Sequence, residues 1–233
     1  MKKVDFINRV MLIMNEADMS TNKGLSLLGA DMAQVDRYIE GSYADAWRRC
    51  IKVMPRTWFE NKSFSNLLPI PDLSYSTGYV VLPDDFYLLT SFKMEGWQKA
   101  VFEATIEDEK VSSIQSNEWT RGSAIRPVCT ISNKSIGNEV KQVLNYYSLS
   151  PSMVEHRIEQ AIYVPIAKPL KNYSPNEDIK LNEQLIEPIA YLCASTVYTM
   201  FEKYDLSRAL EQRAIEMYPG LQVVRGNNVV TKQ

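Results

Sequence analysis

The sequence predicts an α+β protein: a helical body drawn from both ends of the chain, an inserted antiparallel β-sheet and hairpin portion, and an extended C-terminal tail. Two observations carry this expectation. Apolar residues recur at helical spacing near both ends, whereas the centre holds short β-prone runs punctuated by Pro, Gly and Asn. The resulting boundaries are helices over 1–60 and 178–219, a β-rich portion over 78–167 and a tail over 220–233.

Taken in order, Val4 to Ala17 places Ile7, Val10, Met11 and Met14 on one stripe of a short amphipathic helix. Met19 to Ala30 is polar and glycine-containing and reads as a loop with a short turn. Asp31 suits a helix N-cap, and the pattern after it runs to Glu40, where Gly41-Ser42 allows a break or bend. The next helix has Tyr43, Trp47, Cys50, Ile51 and Met54 as its stripe, with Arg48, Arg49 and Lys52 facing elsewhere, and Pro55 stops it. Trp58 to Gly78, rich in Asn, Ser and Pro, reads as an irregular connection.

Gly78 to Phe102 carries the clearest local code. Tyr79 to Leu82 is a short apolar run that Pro83 ends by removing a ladder donor, and Asp84 and Asp85 suit the turn that follows. Tyr87 to Glu95 is β-prone, Glu95-Gly96 permits a tight reversal, and Trp97 to Phe102 returns as the second strand of a hairpin. Phe86 and Trp97 are expected to anchor that hairpin. Thr105 to Arg121 is acidic and weakly patterned, as helix or ordered loop. Arg126 to Ile131 and Asn138 to Ser148 pair across a turn near Asn133 to Gly137, with Val140, Leu144 and Tyr146 on one face, and Ile158 to Pro165 adds a further strand.

Asn182 is favoured over Ser174 as cap of the longest helix. Its broad apolar face holds Leu185, Ile189, Leu192, Cys193, Thr196, Val197, Met200 and Phe201, and Pro188 bends its first turns without ending it. Asp205 caps a last helix striped by Leu206, Leu210, Ala214 and Met217, ended at Pro219-Gly220. The tail is β-prone and partly apolar. It either pairs with a partner's sheet edge or groove through Leu221, Val223, Val224, Arg225, Val229 and Val230, or folds back on its own sheet or frays.

Composition narrows the function. A net charge of −2 over 233 residues argues against gripping nucleic acid, which draws on clustered Lys and Arg. No run approaches the about 18–20 apolar residues of a membrane helix. Cys50, Cys129 and Cys193 are widely spaced amid apolar neighbours and read as buried thiols of a protein made in a reducing cytosol. The only histidine, His156, reads as a surface or sheet-edge residue, leaving no histidine pair for a metal. Neither GxxxxGK[ST] nor GxGxxG occurs. Asp84-Asp85 and Glu107-Asp108-Glu109 fit turn and cap roles better than acid–base chemistry. The expectation is therefore no catalytic residue, no metal and no cofactor.

The order of elements runs from amphipathic N-terminal helices through AWRRCIKVMPRTWFENKSFS and LPDDFYLLTSFKMEGWQKAV to LNEQLIEPIAYLCASTVYTMFEKYDLSRALEQRAIEMYPG and the tail. It resembles the head-to-tail adaptor, or connector ring, proteins of tailed bacteriophages (tail tubular protein A-like), and most of all the ring proteins of crAss-like phages. The resemblance implies a non-enzymatic virion protein at the head–tail junction. It implies a homo-oligomeric ring, commonly of twelve copies, between the portal protein and the next tail or ring protein, with DNA passing through without specific binding. The alternative is a binding module for carbohydrate or a host protein, using Trp97, Trp119, Tyr146 and Tyr147 on a sheet surface. A hydrolase or transferase using Asp84, Asp85 and the 107–109 carboxylates is the third reading.

Overall fold

A computed structural model describes residues 1–20, 32–72, 76–117, 119–147, 149 and 155–218. In chain order its first elements are helices α1 (Lys3–Ser20) and α2 (Met32–Ile51) and strands β1 (Lys62–Ser63), β2 (Ile70–Pro71), β3 (Gly78–Val81), β4 (Phe86–Met94) and β5 (Thr105–Ile106). Helix α3 (Glu109–Ser116), strands β6 (Cys129–Ile136), β7 (Glu139–Tyr146) and β8 (Ile158–Pro165), and helices α4 (Glu183–Met200) and α5 (Tyr204–Met217) follow. The fold is α+β. The chain divides into two compact units, one from Met1–Glu60 with Ala167–Gln233 and one from Asn61–Ile166.

The first unit is built on α4. Leu185 and every residue from Pro188 to Ser195 are buried, with Val197 and Tyr198, so apolar surface faces outward on all sides of the helix and needs several neighbours. Those neighbours are α1, α2 and α5. From α1 come Phe6, Ile7, Val10, Ile13 and Met14; from α2 come Val35, Ile39, Tyr43, Trp47, Cys50 and Ile51. The Tyr198 hydroxyl, fully buried, donates to the Met14 carbonyl at 2.6 Å, so the phenol enters the core without an orphan donor. The N-terminus is pinned to the segment before α4: the Ile179 amide donates to the Met1 carbonyl at 2.7 Å and the Lys3 amide to the Glu177 carbonyl at 3.0 Å.

Several local expectations meet the structure here. The Asn182 side chain caps α4 by accepting from the Gln184 amide at 3.0 Å, and α4 continues through Pro188. Helix α2 does not break at Gly41-Ser42. Ser42 satisfies its buried hydroxyl on the Ile39 carbonyl at 2.9 Å, which leaves the helix no reason to open. Asp205 is not the cap of α5 but lies in its first turn, where a carboxylate suits the positive end of the helix dipole; Lys203 is the cap residue. The buried face of α5 is Ser207, Leu210, Glu211, Ala214 and Ile215, rotated from the expected stripe so that Met217 is exposed. Two polar contacts select that rotation. Glu211 accepts from Arg49 of α2 at 2.5 Å, and Ser195 of α4 donates to the Ser207 carbonyl at 2.9 Å. Between α4 and α5 the chain closes a Schellman turn: the Lys203 amide returns to the Tyr198 carbonyl and Glu202 to Thr199, with Glu202 at φ 60°.

The second unit contains two sheets, β1-β8-β4 and β2-β3-β7-β6-β5. All pairings are antiparallel except β5 with β6. This corrects the expected single small sheet, and it corrects the hairpin. Strand β4 pairs with β8 along its length, from Phe86↔Pro165 to Met94↔Ile158, whereas Trp97 to Phe102 supplies one bridge, Phe92↔Val101. The reason is in the side chains: β8 buries Ala161, Tyr163, Val164 and Pro165, while the returning segment carries the exposed Gln98 and Lys99. The expected irregular stretch before Gly78 instead supplies β1, β2 and Phe64, whose ring stacks on Phe92 at 6.0 Å and meets Phe86 and Tyr163 edge-on. The turn between β6 and β7 lies at the end of the expected Asn133 to Gly137 stretch, at Gly137 with φ 63°, because β6 continues to Ile136. Val140, expected on the face of Leu144 and Tyr146, is 73% exposed because β7 is buried only from Val143 onward.

Two glycines give opposite predictions. A Cβ on Gly78 would stand 2.2 Å from the Tyr146 hydroxyl oxygen and 2.5 Å from the Ile70 carbonyl, so Gly78→Ala should lower the unfolding free energy by about 1–3 kcal/mol. Gly41, inside α2 with nothing within 4 Å, should accept alanine with a gain of about 0.5–1 kcal/mol. Urea midpoints of the two variants check both signs.

Candidate functional site

The tail residues Leu221, Val223, Val224, Arg225, Val229 and Val230 lie outside the described residues. Phe86 and Trp97 are both buried, Phe86 stacked on Tyr163 at 5.6 Å and Trp97 edge-on to Phe92 at 5.8 Å. The Trp97 indole N–H has no partner in the core, so the ring is there for its apolar area. Of the four aromatics considered for a binding surface, Trp97 and Tyr146 are interior and Tyr147 is half-buried, while Trp119 is 93% exposed. They do not form one exposed platform.

His156 is not a surface residue. It is buried, and its Nδ1 lies 2.6 Å from the Tyr146 hydroxyl, which gives a core phenol the partner it needs. Burial raises the Tyr146 phenol well above its ordinary pKa. The three cysteines are free and buried, and burial pushes the Cys50 and Cys193 thiols up to about 12 and Cys129 well above its ordinary range. They pack; thiolate chemistry is disfavoured at each. No group of three His, Cys, Asp or Glu among the described residues is placed to hold a metal.

The aspartates sit in the turn that closes with the Phe86 amide donating to the Pro83 carbonyl at 2.9 Å. Asp85 accepts from Tyr163 at 2.6 Å through one oxygen and from Lys62 at 2.6 Å through the other. Partial desolvation pushes its pKa up, but those two hydrogen bonds outweigh it and hold the carboxyl below its ordinary value. Asp108 caps α3, accepting from the Val111 amide at 2.7 Å.

Glu107 does something else. Its Oε2 accepts from Asn145 Nδ2 at 2.7 Å, and the same nitrogen faces Ser132 Oγ at 2.8 Å and Thr130 Oγ1 at 3.2 Å. Thr130 in turn meets the Tyr147 hydroxyl at 2.9 Å. Glu107, Asn145 and Tyr147 line a cavity of about 340 Å³ in the second unit, together with Asp72, Arg121 and Lys134. Lys134 holds its ammonium 4.1 Å over the Tyr79 ring centroid. The site was not anticipated from sequence. The available signal was period-two: Asn145 alternates with the core residues Leu144 and Tyr146 and faces Thr130 in register, a polar pair in an apolar strand.

No protein-family model matches the chain, and no curated protein matches it. No helix of the described residues is long and apolar enough to cross a membrane.

The depressed Asp85 pKa sets a pH dependence. Its stabilisation is fully present above the unfolded carboxylate pKa of about 3.9 and is lost as pH falls through the lower folded value. Asp85→Asn should therefore lower stability at pH 7 and flatten the loss as pH falls below about 4, read as urea midpoints along the acid limb. An acid limb unchanged by the substitution would contradict this assignment.

Proposed function

We propose that this chain is a structural, non-enzymatic virion protein, a head-to-tail adaptor of a tailed bacteriophage. Copies close into a ring of twelve on the portal protein, extend the DNA channel and seat the next tail or ring protein. Its place would be the head–tail junction of the virion. The observation that carries this reading is the distribution of exposed apolar side chains. Of the seven large apolar side chains more than half exposed among the described residues, Leu68, Phe102, Ile106, Trp119, Ile125 and Val140 lie in the Asn61–Ile166 unit and Tyr204 alone in the other. Side chains of this kind cost solvation free energy in a lone molecule and are removed from water when copies pack side by side in a heterologous ring.

The arrangement of the chain supports the same reading, since helices from both termini make one unit and the intervening residues make the other. The buried cysteines and the structural roles of Asp85 and Asp108 leave the carboxylate-enzyme reading with little to use. An aromatic binding sheet loses Trp97 and Tyr146 to the core.

Electron microscopy of the chain mixed with its portal protein is the test. A ring of density seated on the portal is the expected result, and Trp119→Ser together with Ile106→Asp should abolish it while leaving the melting temperature within a few degrees, as surface substitutions do. Bare portal under saturating chain would sink the proposal.

A further inference from the structure

A cavity at the C-terminal end of α5 carries a further inference, independent of ring assembly. It measures about 380 Å³ in the helical unit, and Trp58, Met217 and Tyr218 give it an apolar wall. Tyr218 is fixed there: its hydroxyl donates to the Val53 carbonyl at 3.2 Å, and its ring meets Trp58 edge-on at 6.0 Å. The facing wall comes from the first turns of α4. Glu187 is answered by Arg9 through both oxygens, whereas the exposed Glu183 has no partner among the described residues. Pro188 has no N–H, so the Gln184 carbonyl four residues earlier loses its helical donor, and both residues line the cavity. Apolar surface, a free carboxylate and a carbonyl short of a donor therefore meet in one place, with Met217 still 46% exposed.

We propose that Leu221 to Arg225 of the same chain fold back into this cavity, with Leu221 and Val223 against Trp58 and Met217 and the Arg225 guanidinium on the Glu183 carboxylate. Three observations select this occupant. The described chain leaves α5 at Tyr218 in extended conformation, with φ −145° and ψ 94°, so the next residues start at the cavity wall, and Pro219-Gly220 suits the turn back. In an extended segment Leu221, Val223 and Arg225 share one face, two apolar side chains and then a base, which matches walls that offer aromatic and methionine side chains and then a carboxylate. Pro219 to Gln233 carry Arg225 and Lys232 and no acidic side chain, so the charge of the segment complements Glu183. The chain from Tyr218 to Arg225 can extend about 24 Å, about twice the diameter of a helix, and a tether that short favours it over the same segment of a second copy. Docked there, the segment fixes where Gly226 to Gln233, with Val229 and Val230, leave the helical unit toward a partner.

Cross-linking of the isolated full chain with a short bismaleimide tests this, using Glu183→Cys together with Arg225→Cys; the native Cys50, Cys129 and Cys193 are buried and do not compete. The expected product is a cross-link within one chain, read by intact mass and formed at a rate independent of protein concentration. Adding Leu221→Asp and Val223→Asp should slow it about tenfold or more, because a segment merely tethered nearby would react equally fast without its apolar anchors. No cross-link, a cross-link between chains, which seats a second copy's segment instead, or an unchanged rate in the aspartate variant overturns the proposal. Trypsin cleavage after Arg225 in the otherwise unaltered chain reads the ion pair separately. Glu183→Lys should speed it about fivefold, the size of an exposed ion pair, and an unchanged rate overturns the proposal. Neither measurement contains the portal, so their failure is distinct from failure of the ring.

Discussion

The burial of α4 on all sides is the constraint from which the helical unit follows. A helix with one apolar stripe is satisfied by one neighbour; α4, with Leu185, Ile189, Leu192, Cys193, Val197 and Tyr198 all inside, is not. Its neighbours have to come from α1, α2 and α5, which places the two ends of the chain in one core. The polar contacts then set the phase of each helix rather than its existence. Tyr198 on the Met14 carbonyl, Ser195 on the Ser207 carbonyl and Arg49 on Glu211 each tie one helix to another at one rotation. The Arg49–Glu211 pair is only partly screened, with side chains 30% and 12% exposed, so losing one partner would leave a charge half-buried.

In the other unit the organising element is an aromatic cluster rather than a backbone ladder. Phe64, Phe86, Phe92, Trp97 and Tyr163 join residues of β1–β8–β4 to those of β3 and β7 in one apolar core. Strand β4 is threaded through it with three register irregularities along β8, which suits a strand whose side chains must meet ring partners rather than keep a uniform pleat. The five-stranded sheet has two unlike faces. Leu144 and Tyr146 belong to the core, whereas Thr130, Ser132 and Asn145 make a polar network that ends on the Glu107 carboxylate. Hydrogen bonds that converge on one amide nitrogen hold the side chains they join in one arrangement.

The exposed apolar residues and the polar cavity belong to the same unit. Ile106, 77% exposed, ends β5 and directly precedes Glu107, whose carboxylate lines the cavity.

What the sequence determined by itself were the features set by local chemistry. Helical periodicity marked α1, α2, α4 and α5; Asn182 marked its own cap through an oxygen within reach of the Gln184 amide; Pro83 ended a strand because it lacks an N–H; and apolar neighbours marked three buried thiols. Tertiary structure alone decided which strands pair and which polar groups meet. The Gly96 turn looked sufficient for a hairpin, yet β4 took β8, sixty-odd residues away in the chain, because pairing free energy depends on side chains across the ladder and not on nearness in sequence. His156 had no local reason to be buried until Tyr146 required a partner, and Glu107 read as one of three acids until Asn145, thirty-eight residues on, turned its amide toward it. Local preferences act over a few residues, whereas the satisfaction of a buried polar atom is settled only when distant segments close around it.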